Sequence, residues 1–179
     1  MSMKTKRILA FCLMLWLLPA LAFADAAPLA ESDLWLSLGT ETYQLGQPAA
    51  PLLAAAEAER LGPLLCEAAP SCMFFGQDKE YTSDSLMLAT VPSQPDGGDT
   101  LESVMVLCAG LPTARGVEVG MTRAQVEAAY GTDYLFDYDQ MNYLLDKDKP
   151  EGAYIAFLLD LDTQTVTAYL MIRNVTKEG

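Results

Sequence analysis

The sequence predicts an α+β fold built from two tandem modules. Each module is a short strand and a helix followed by about three antiparallel strands, with the helices packed on a curved antiparallel sheet. Three observations carry this expectation. The stretch Gly116 to Gly131 holds the local signals of a strand, a turn, a helix and a stop. Apolar residues alternate with polar ones through short runs in both halves, the period of half-buried strands. Residues around the two helix starts also repeat at a fixed offset.

The second helix is the clearest element. Val117 and Val119 flank polar Glu118 as in a strand, and Gly120 lets the chain turn. Thr122 has the chemistry of an N-cap, and Gln125 three residues later completes a capping box. Met121 precedes the cap and meets Val126 as a hydrophobic staple. Val126, Ala129 and Tyr130 share the inner face, Arg123 lies on the outer one, and Gly131 supplies the stop.

In chain order, residues 25–33 are rich in alanine, proline and acids and read as a flexible start. Leu34 to Leu38 and Thr42 to Leu45 read as strands about a turn at Gly39. Pro51 to Leu61 is alanine-rich, opens on a proline suited to a first turn and stops at Gly62. It reads as a helix with Leu52, Leu53 and Ala56 inward. Cys72 to Gly76 reads as a short apolar strand, Asp78-Lys79-Glu80 as a turn, and Ser85 to Val91 as the next strand. Pro92 to Asp99 is a hairpin connection, Leu101 to Leu107 a strand, and Ala109 to Arg115 a linker. Tyr134 to Tyr138, Met141 to Leu145, Tyr154 to Leu161 and Val166 to Ile172 complete the strands. The expected organisation is a signal peptide over 1–24, a first module over 34–109, a linker over 110–115 and a second module over 116–175. Leu45-Gly46 aligns with Val119-Gly120, and at the same offset Ala50 with Ala124, Leu52 with Val126, and Ala54-Ala55 with Ala128-Ala129.

Composition sets the address and narrows the chemistry. Lys4, Lys6 and Arg7 precede an apolar run from Ile8 to Leu21, and Ala22-Phe23-Ala24 is a small-x-small cleavage site. The expectation is export, cleavage before Asp25 and no stable membrane insertion afterwards. The alternative, a retained anchor, needs about 20 uninterrupted apolar residues. Cleavage would leave 8 basic residues against 24 acidic ones, a net charge of −16. Such a balance repels phosphate backbones, so nucleic acid is excluded as a partner. Histidine is absent, which removes the Ser-His-Asp and Cys-His constellations and the commonest general base. No cofactor or metal is expected. Asp137, Asp139 and Asn142 lack the spacing of an EF-hand loop, and Asp146 and Asp148 alternate with Lys147 and Lys149.

Export permits disulfides, and Cys66–Cys72 is the expected pair, closing a short loop about Pro70. Cys108 is then a buried free thiol or the alternative partner of Cys72. A reactive thiolate needs a neighbouring base or cation, and no histidine exists to serve.

The pattern Gly-Val-Glu-Val-Gly-Met-Thr-x-x-x-Val-x-x-x-Tyr-Gly resembles the helix-opening signature of secreted α+β modules of the beta-lactamase-inhibitor-protein-like fold and of the related outer-membrane assembly lipoprotein domain. Ser71 to Tyr81, with Thr90 and Thr113-x-x-Gly116, is similar to a family of exported proteins and lipoproteins of Gram-positive gut bacteria. The chain departs from it in lacking a lipid-anchor cysteine and in Ser83-Asp84, where an aromatic residue is expected. The family carries no assigned activity, so the resemblance implies fold and address and no mechanism.

The functional expectation is a non-catalytic extracytoplasmic binding module of the cell envelope, with a protein or cell-envelope ligand as partner. The alternative is a small secreted hydrolase using paired carboxylates. The candidate surface is Tyr134, Tyr138 and Tyr143 with Asp137 and Asp139. Alternate residues 134, 136 and 138 place three rings on one side of a strand, and exposed tyrosine is enriched where proteins dock. Core packing is the competing role for these rings, Phe136 above all.

Overall fold

The computed structural model describes residues 26–93 and 98–175. The predicted signal segment, part of the Pro92 to Asp99 connection and the tail from Thr176 lie outside the described residues.

The fold is α+β. A hairpin of β1 (Trp35–Leu38) and β2 (Glu41–Gln44) leads into α1 (Ala50–Ala58). Four strands follow: β3 (Leu65–Pro70), β4 (Gln77–Thr82), β5 (Leu86–Val91) and β6 (Thr100–Val106). Then come α2 (Arg123–Tyr130) and four more strands: β7 (Leu135–Asp137), β8 (Gln140–Leu144), β9 (Tyr154–Asp160) and β10 (Thr165–Ile172). The last eight strands form one open sheet in the order β3-β4-β5-β6-β10-β9-β8-β7, every neighbour antiparallel.

One side of that sheet is the core. Leu86, Val106, Tyr169, Phe157 and Met141 lie directly opposite one another across five strands, and all are buried. Leu52 and Ala56 of α1, Val126 and Tyr130 of α2, and Leu36 and Leu38 of β1 join the same cluster. Each fully buried Leu, Met or Phe side chain contributes about 1.5–3 kcal/mol.

The local signals of α2 operate as read. Thr122 Oγ1 accepts from the Gln125 amide at 3.4 Å, and Gln125 Oε1 accepts from the Thr122 amide at 2.9 Å. Gly131, at φ 86°, ends the helix with its amide donating to the Glu127 carbonyl. Helix α1 has no side-chain cap and closes at Arg60, a non-glycine residue at φ 57°.

Several elements differ from expectation. Val117 to Val119 is not a strand, because Thr113 satisfies Val117 locally. The Val117 amide donates to Thr113 Oγ1 at 3.1 Å, and the Thr113 amide donates to the Val117 carbonyl at 2.8 Å. Cys72 to Gly76 is the loop between β3 and β4, and Asp78-Lys79-Glu80 lies inside β4 rather than at a turn. Strand β3 is exposed along its whole length. An edge strand with neither face buried shows no alternation to read, and it tolerates Pro70 at its end. Each helix is followed by four strands rather than three.

The Cys66–Cys72 pair is not formed: Cys66, Cys72 and Cys108 are free thiols. Cys66 stands opposite Tyr81 in extended backbone, while Cys72 lies beyond Pro70, which stands opposite Gln77. Four strand steps carry Pro70 about 13 Å from Cys66, so Cys72 would come within the roughly 7 Å a disulfide needs only if the chain doubled back along β3.

The segment expected to be flexible is held. The Arg115 guanidinium donates to the carbonyls of Ala27 and Pro28, each at 2.7 Å, and grips Asp33 through two bonds of 2.6 and 2.8 Å. It also lies 4.7 Å from the centre of the Tyr130 ring. Arg115 ends the expected linker, and its planar fork makes that linker a strut.

The approach to each helix is tied to the sheet by the same bonds. Gly46 and Gly120 amides donate to the Leu101 and Val166 carbonyls, both at 2.8 Å. Ala49 and Arg123 amides donate to Asp99 and Gln164, and the Leu101 and Val166 amides return bonds to Gln47 and Met121. Isolated bridges join Pro48 to Thr100 and Thr122 to Thr165. Register shifts fall at Glu102 in β6 and Thr167 in β10, each the third residue of its strand.

Two substitutions test the helix ends by chemical denaturation. Thr122→Ala should lower stability by about 1 kcal/mol, the usual loss of an N-cap. Arg60→Gly should raise it by about 1 kcal/mol. A left-handed turn costs a non-glycine residue about 1–2 kcal/mol, and glycine's unfolded-state freedom offsets part of the gain.

Candidate binding surface

Antiparallel residues directly opposite one another share a sheet face, so the strand registers define the side away from the core. One row crosses all eight strands: Leu65, Thr82, Met87, Met105, Leu170, Ala156, Asn142 and Leu135. The adjacent row is Glu67, Glu80, Ala89, Ser103, Ile172, Tyr154 and Leu144. On the other flank, Ala168, Leu158, Gln140 and Asp137 form a shorter row.

This face is apolar over its centre and second half. Met87, Met105, Leu170, Ile172, Leu158, Tyr154 and Leu144 are all half-buried, and none belongs to the core cluster. Leu135 on the edge strand is 57% exposed. With Tyr134, Asn142, Leu144, Lys147 and Pro150 it lines a cleft of about 290 Å³. An antiparallel sheet with one solvated side is ordinarily polar there. Here it is not.

The first half of the same face is acidic. Glu67, Asp78, Glu80 and Glu102 line a shallow hollow of about 350 Å³ around Ala89. Asp78 Oδ1 is buried without a hydrogen-bond partner. Burial pushes the Glu102 carboxyl above the ordinary glutamate range, a hydrogen bond from the Val175 backbone pulls against that, and the Asp78 carboxylate adds to the rise. Lys79 borders the hollow, but its ammonium is bonded to Asp99 at 2.7 Å. The other ion pairs among the described residues are Arg115–Asp33, Arg123–Glu127, Lys147–Asp133, Lys149–Asp146 and Arg173–Glu31. None reaches the four acids.

The sequence-predicted site residues do not form one surface. Tyr143 is in the core at 3% exposure, its hydroxyl donating to the Gly131 carbonyl at 2.8 Å. Its ring is 5.3 Å from those of Tyr130 and Tyr134. Tyr134 is half-buried, and its hydroxyl joins Glu127 at 2.8 Å and Arg123 at 2.5 Å. That network draws Arg123, expected on a bare outer face, against the rings of Tyr134 and Phe136. Phe136 shares the core-side row with Met141 yet remains 46% exposed because β7 is an edge. Tyr138 is 84% exposed at φ 56° in the β7–β8 turn. Asp139 lies beside it, its carbonyl accepting from the Leu159 amide. Of the five, Asp137 alone shares a row of the apolar face.

Met87, Met105, Leu158, Leu170 and Ile172 of this face, and the four acids, were not singled out from the sequence. A signal was present. Tyr154 to Leu159 and Val166 to Ile172 are apolar at both odd and even positions, which an antiparallel strand needs only if both faces leave water.

Among the described residues, no three His, Cys, Asp or Glu side chains are placed to hold a metal ion, and no described helix is long and apolar enough to cross a membrane. Comparison with protein-family models, curated proteins and solved structures finds no match.

The raised Glu102 carboxyl gives a signed prediction. A folded-state value above the unfolded one means its stabilising contribution is complete below the unfolded value and is lost as pH rises through the folded one. Glu102→Gln should therefore be more stable than the parent at neutral pH. The difference should vanish as the medium is acidified past the glutamate range. Urea titrations at the two pH values read both.

Proposed function

We propose that the chain is a non-catalytic extracytoplasmic binding module of the cell envelope that docks a protein on the uncovered face of its sheet. The observation that carries this reading is the row Met87, Met105 and Leu170, partly exposed apolar side chains in the middle of a sheet side that lies outside the core cluster. Contiguous exposed apolar area on a soluble protein marks a contact site or an aggregation hazard. A formal net charge of −13 over the whole sequence opposes aggregation. The export signal and the absence of histidine support the same reading.

The two halves are, in our reading, tandem modules. The paired bonds of Gly46 and Gly120, the paired bridges at Pro48 and Thr122, and the matched register shifts at Glu102 and Thr167 support it. Each falls at the offset of the repeat in the sequence or at the same position of its strand. The similarity to exported modules of Gram-positive bacteria rests on its own residues and agrees with this address.

A second reading, a small carboxylate-dependent hydrolase, is favoured by one feature, the Asp78 and Glu102 pair in the acidic hollow. Turnover of a glycosidic or peptidic substrate that Glu102→Gln abolishes would establish it in place of the first.

The docking reading is tested with a photo-crosslinking benzoylphenylalanine at Met105 in the full chain, irradiated with native envelope fractions. A discrete adduct is expected from Met105 and none from the same group at Glu57, exposed on α1. No adduct at Met105, or identical adducts at both positions, would remove it.

A further inference from the structure

The binding face is polarised, and its two halves ask for different chemistry. Glu67 and Glu80 stand opposite each other on β3 and β4, and Glu102 and Asp78 line the same hollow. Across the central strands the face changes to Leu170, Ile172 and Leu158. The acidic half is under-compensated: Asp78 Oδ1 is buried without a partner, and the described basic residues in ion pairs are committed to other carboxylates. A buried carboxylate oxygen without a donor costs free energy, and a cation held in the hollow would offset the charge of Asp78 and its acidic neighbours through space. A partner that laid only apolar surface here would desolvate four acids and return nothing to them.

We propose that the protein docked on this face presents an apolar strip flanked on one side by lysine or arginine. The cationic side chains settle in the hollow of Glu67, Asp78, Glu80 and Glu102, and the apolar strip lies along Met105, Leu170 and Ile172. This rests on the docking reading above and adds the partner's chemistry to it. Charge complementarity argues against a second copy as the occupant. Two chains of this acidity repel each other, and the described residues offer no unpaired lysine on the face. Opposite charges across such a surface speed encounter and set register, while the apolar strip holds the complex.

The test uses the full chain and three synthetic peptides of equal length: alternating lysine and leucine, alternating glutamate and leucine, and alternating lysine and serine. Binding is followed by anisotropy at two salt concentrations and mapped by the methyl signals of Met87 and Met105. The lysine–leucine peptide should bind at least about tenfold tighter than either other peptide, weaken with salt, and move both methyl signals. The triple variant Glu67→Gln, Glu80→Gln and Glu102→Gln should weaken it about tenfold and flatten its salt dependence. The control Glu41→Gln, Glu57→Gln and Glu59→Gln removes the same charge from exposed positions elsewhere and should change it less than about twofold. Equal binding of the glutamate–leucine peptide would overturn the cationic requirement, and equal binding of the lysine–serine peptide the apolar one. Equal sensitivity to both triple variants would reduce the effect to net charge and overturn the hollow. Equal adsorption of the protein to neutral phospholipid vesicles would replace a protein partner by a lipid surface. Failure here with an adduct still formed at Met105 removes the partner chemistry alone; failure of both removes the docking reading.

Discussion

The pairing of β6 with β10 is the constraint on which the structure turns. Val106 stands opposite Tyr169, Met105 opposite Leu170, Val104 opposite Met171 and Ser103 opposite Ile172. On the core side, Val104, Val106, Tyr169 and Met171 are completely buried. On the other side, Met105 and Leu170 form the middle of the uncovered strip. The same register therefore sets the centre of the core and the centre of the face. A one-residue slip would exchange them, which is why a sheet apolar on both sides depends on something other than hydrophobic alternation to hold its pairing. That something is visible at the strand starts. Thr100 and Thr165 bridge to Pro48 and Thr122, and the bonds from Gly46 and Gly120 hold the helix approaches against Leu101 and Val166.

Both helices lie on the core side, so nothing in the described fold offsets the apolar character of the opposite face. Leaving Leu170, Ile172, Met105 and Leu158 partly exposed forfeits part of the roughly 25 cal/mol per Å² that burial would return. The acidic half shows the same pattern in electrostatic form, since Glu102 loses hydration without gaining a cation. Elsewhere the chain satisfies its charges closely. Asp33, 5% exposed, receives two bonds from Arg115, and the guanidinium spends its remaining donors on Ala27, Pro28 and Ala129 carbonyls. The interior leaves two hydroxyls, Thr90 and Tyr130, without a partner, but the one carboxylate oxygen so left is that of Asp78 in the acidic hollow.

Much of the fold was legible wherever the chain meets the core on one side only. Thr122, Gln125, Val126 and Gly131 behave as their positions imply, and β5, β6, β8, β9 and β10 lie within a residue or two of their predicted spans. The β3–β4 end of the sheet was not legible. Leu65 to Pro70 is exposed along its length, and in Gln77 to Thr82 only Tyr81 packs on the core, so little period marks either, and the apolar Cys72 to Phe75 loop imitated a strand. The residues of the candidate site were not legible as separate surfaces for a related reason. Of the three tyrosines chosen around β7 and β8, the core holds Tyr143 and Arg123 with Glu127 holds Tyr134, which leaves Tyr138 exposed alone in the turn. The informative excess lay in β9 and β10, where a continuous apolar run reads equally as a central buried strand. Deciding between the two needs the positions of the helices, and no residue pattern reports on which side of a sheet both helices fall.

The central claim is that the side of the sheet bearing Met87 and Met105 is open while the side bearing Met141 and Met171 is closed. Methyl relaxation in the presence of a soluble gadolinium chelate reads both sides in one spectrum. The account predicts strong enhancement at Met87 and Met105 and none at Met141 and Met171. Equal protection of all four methyls would contradict it.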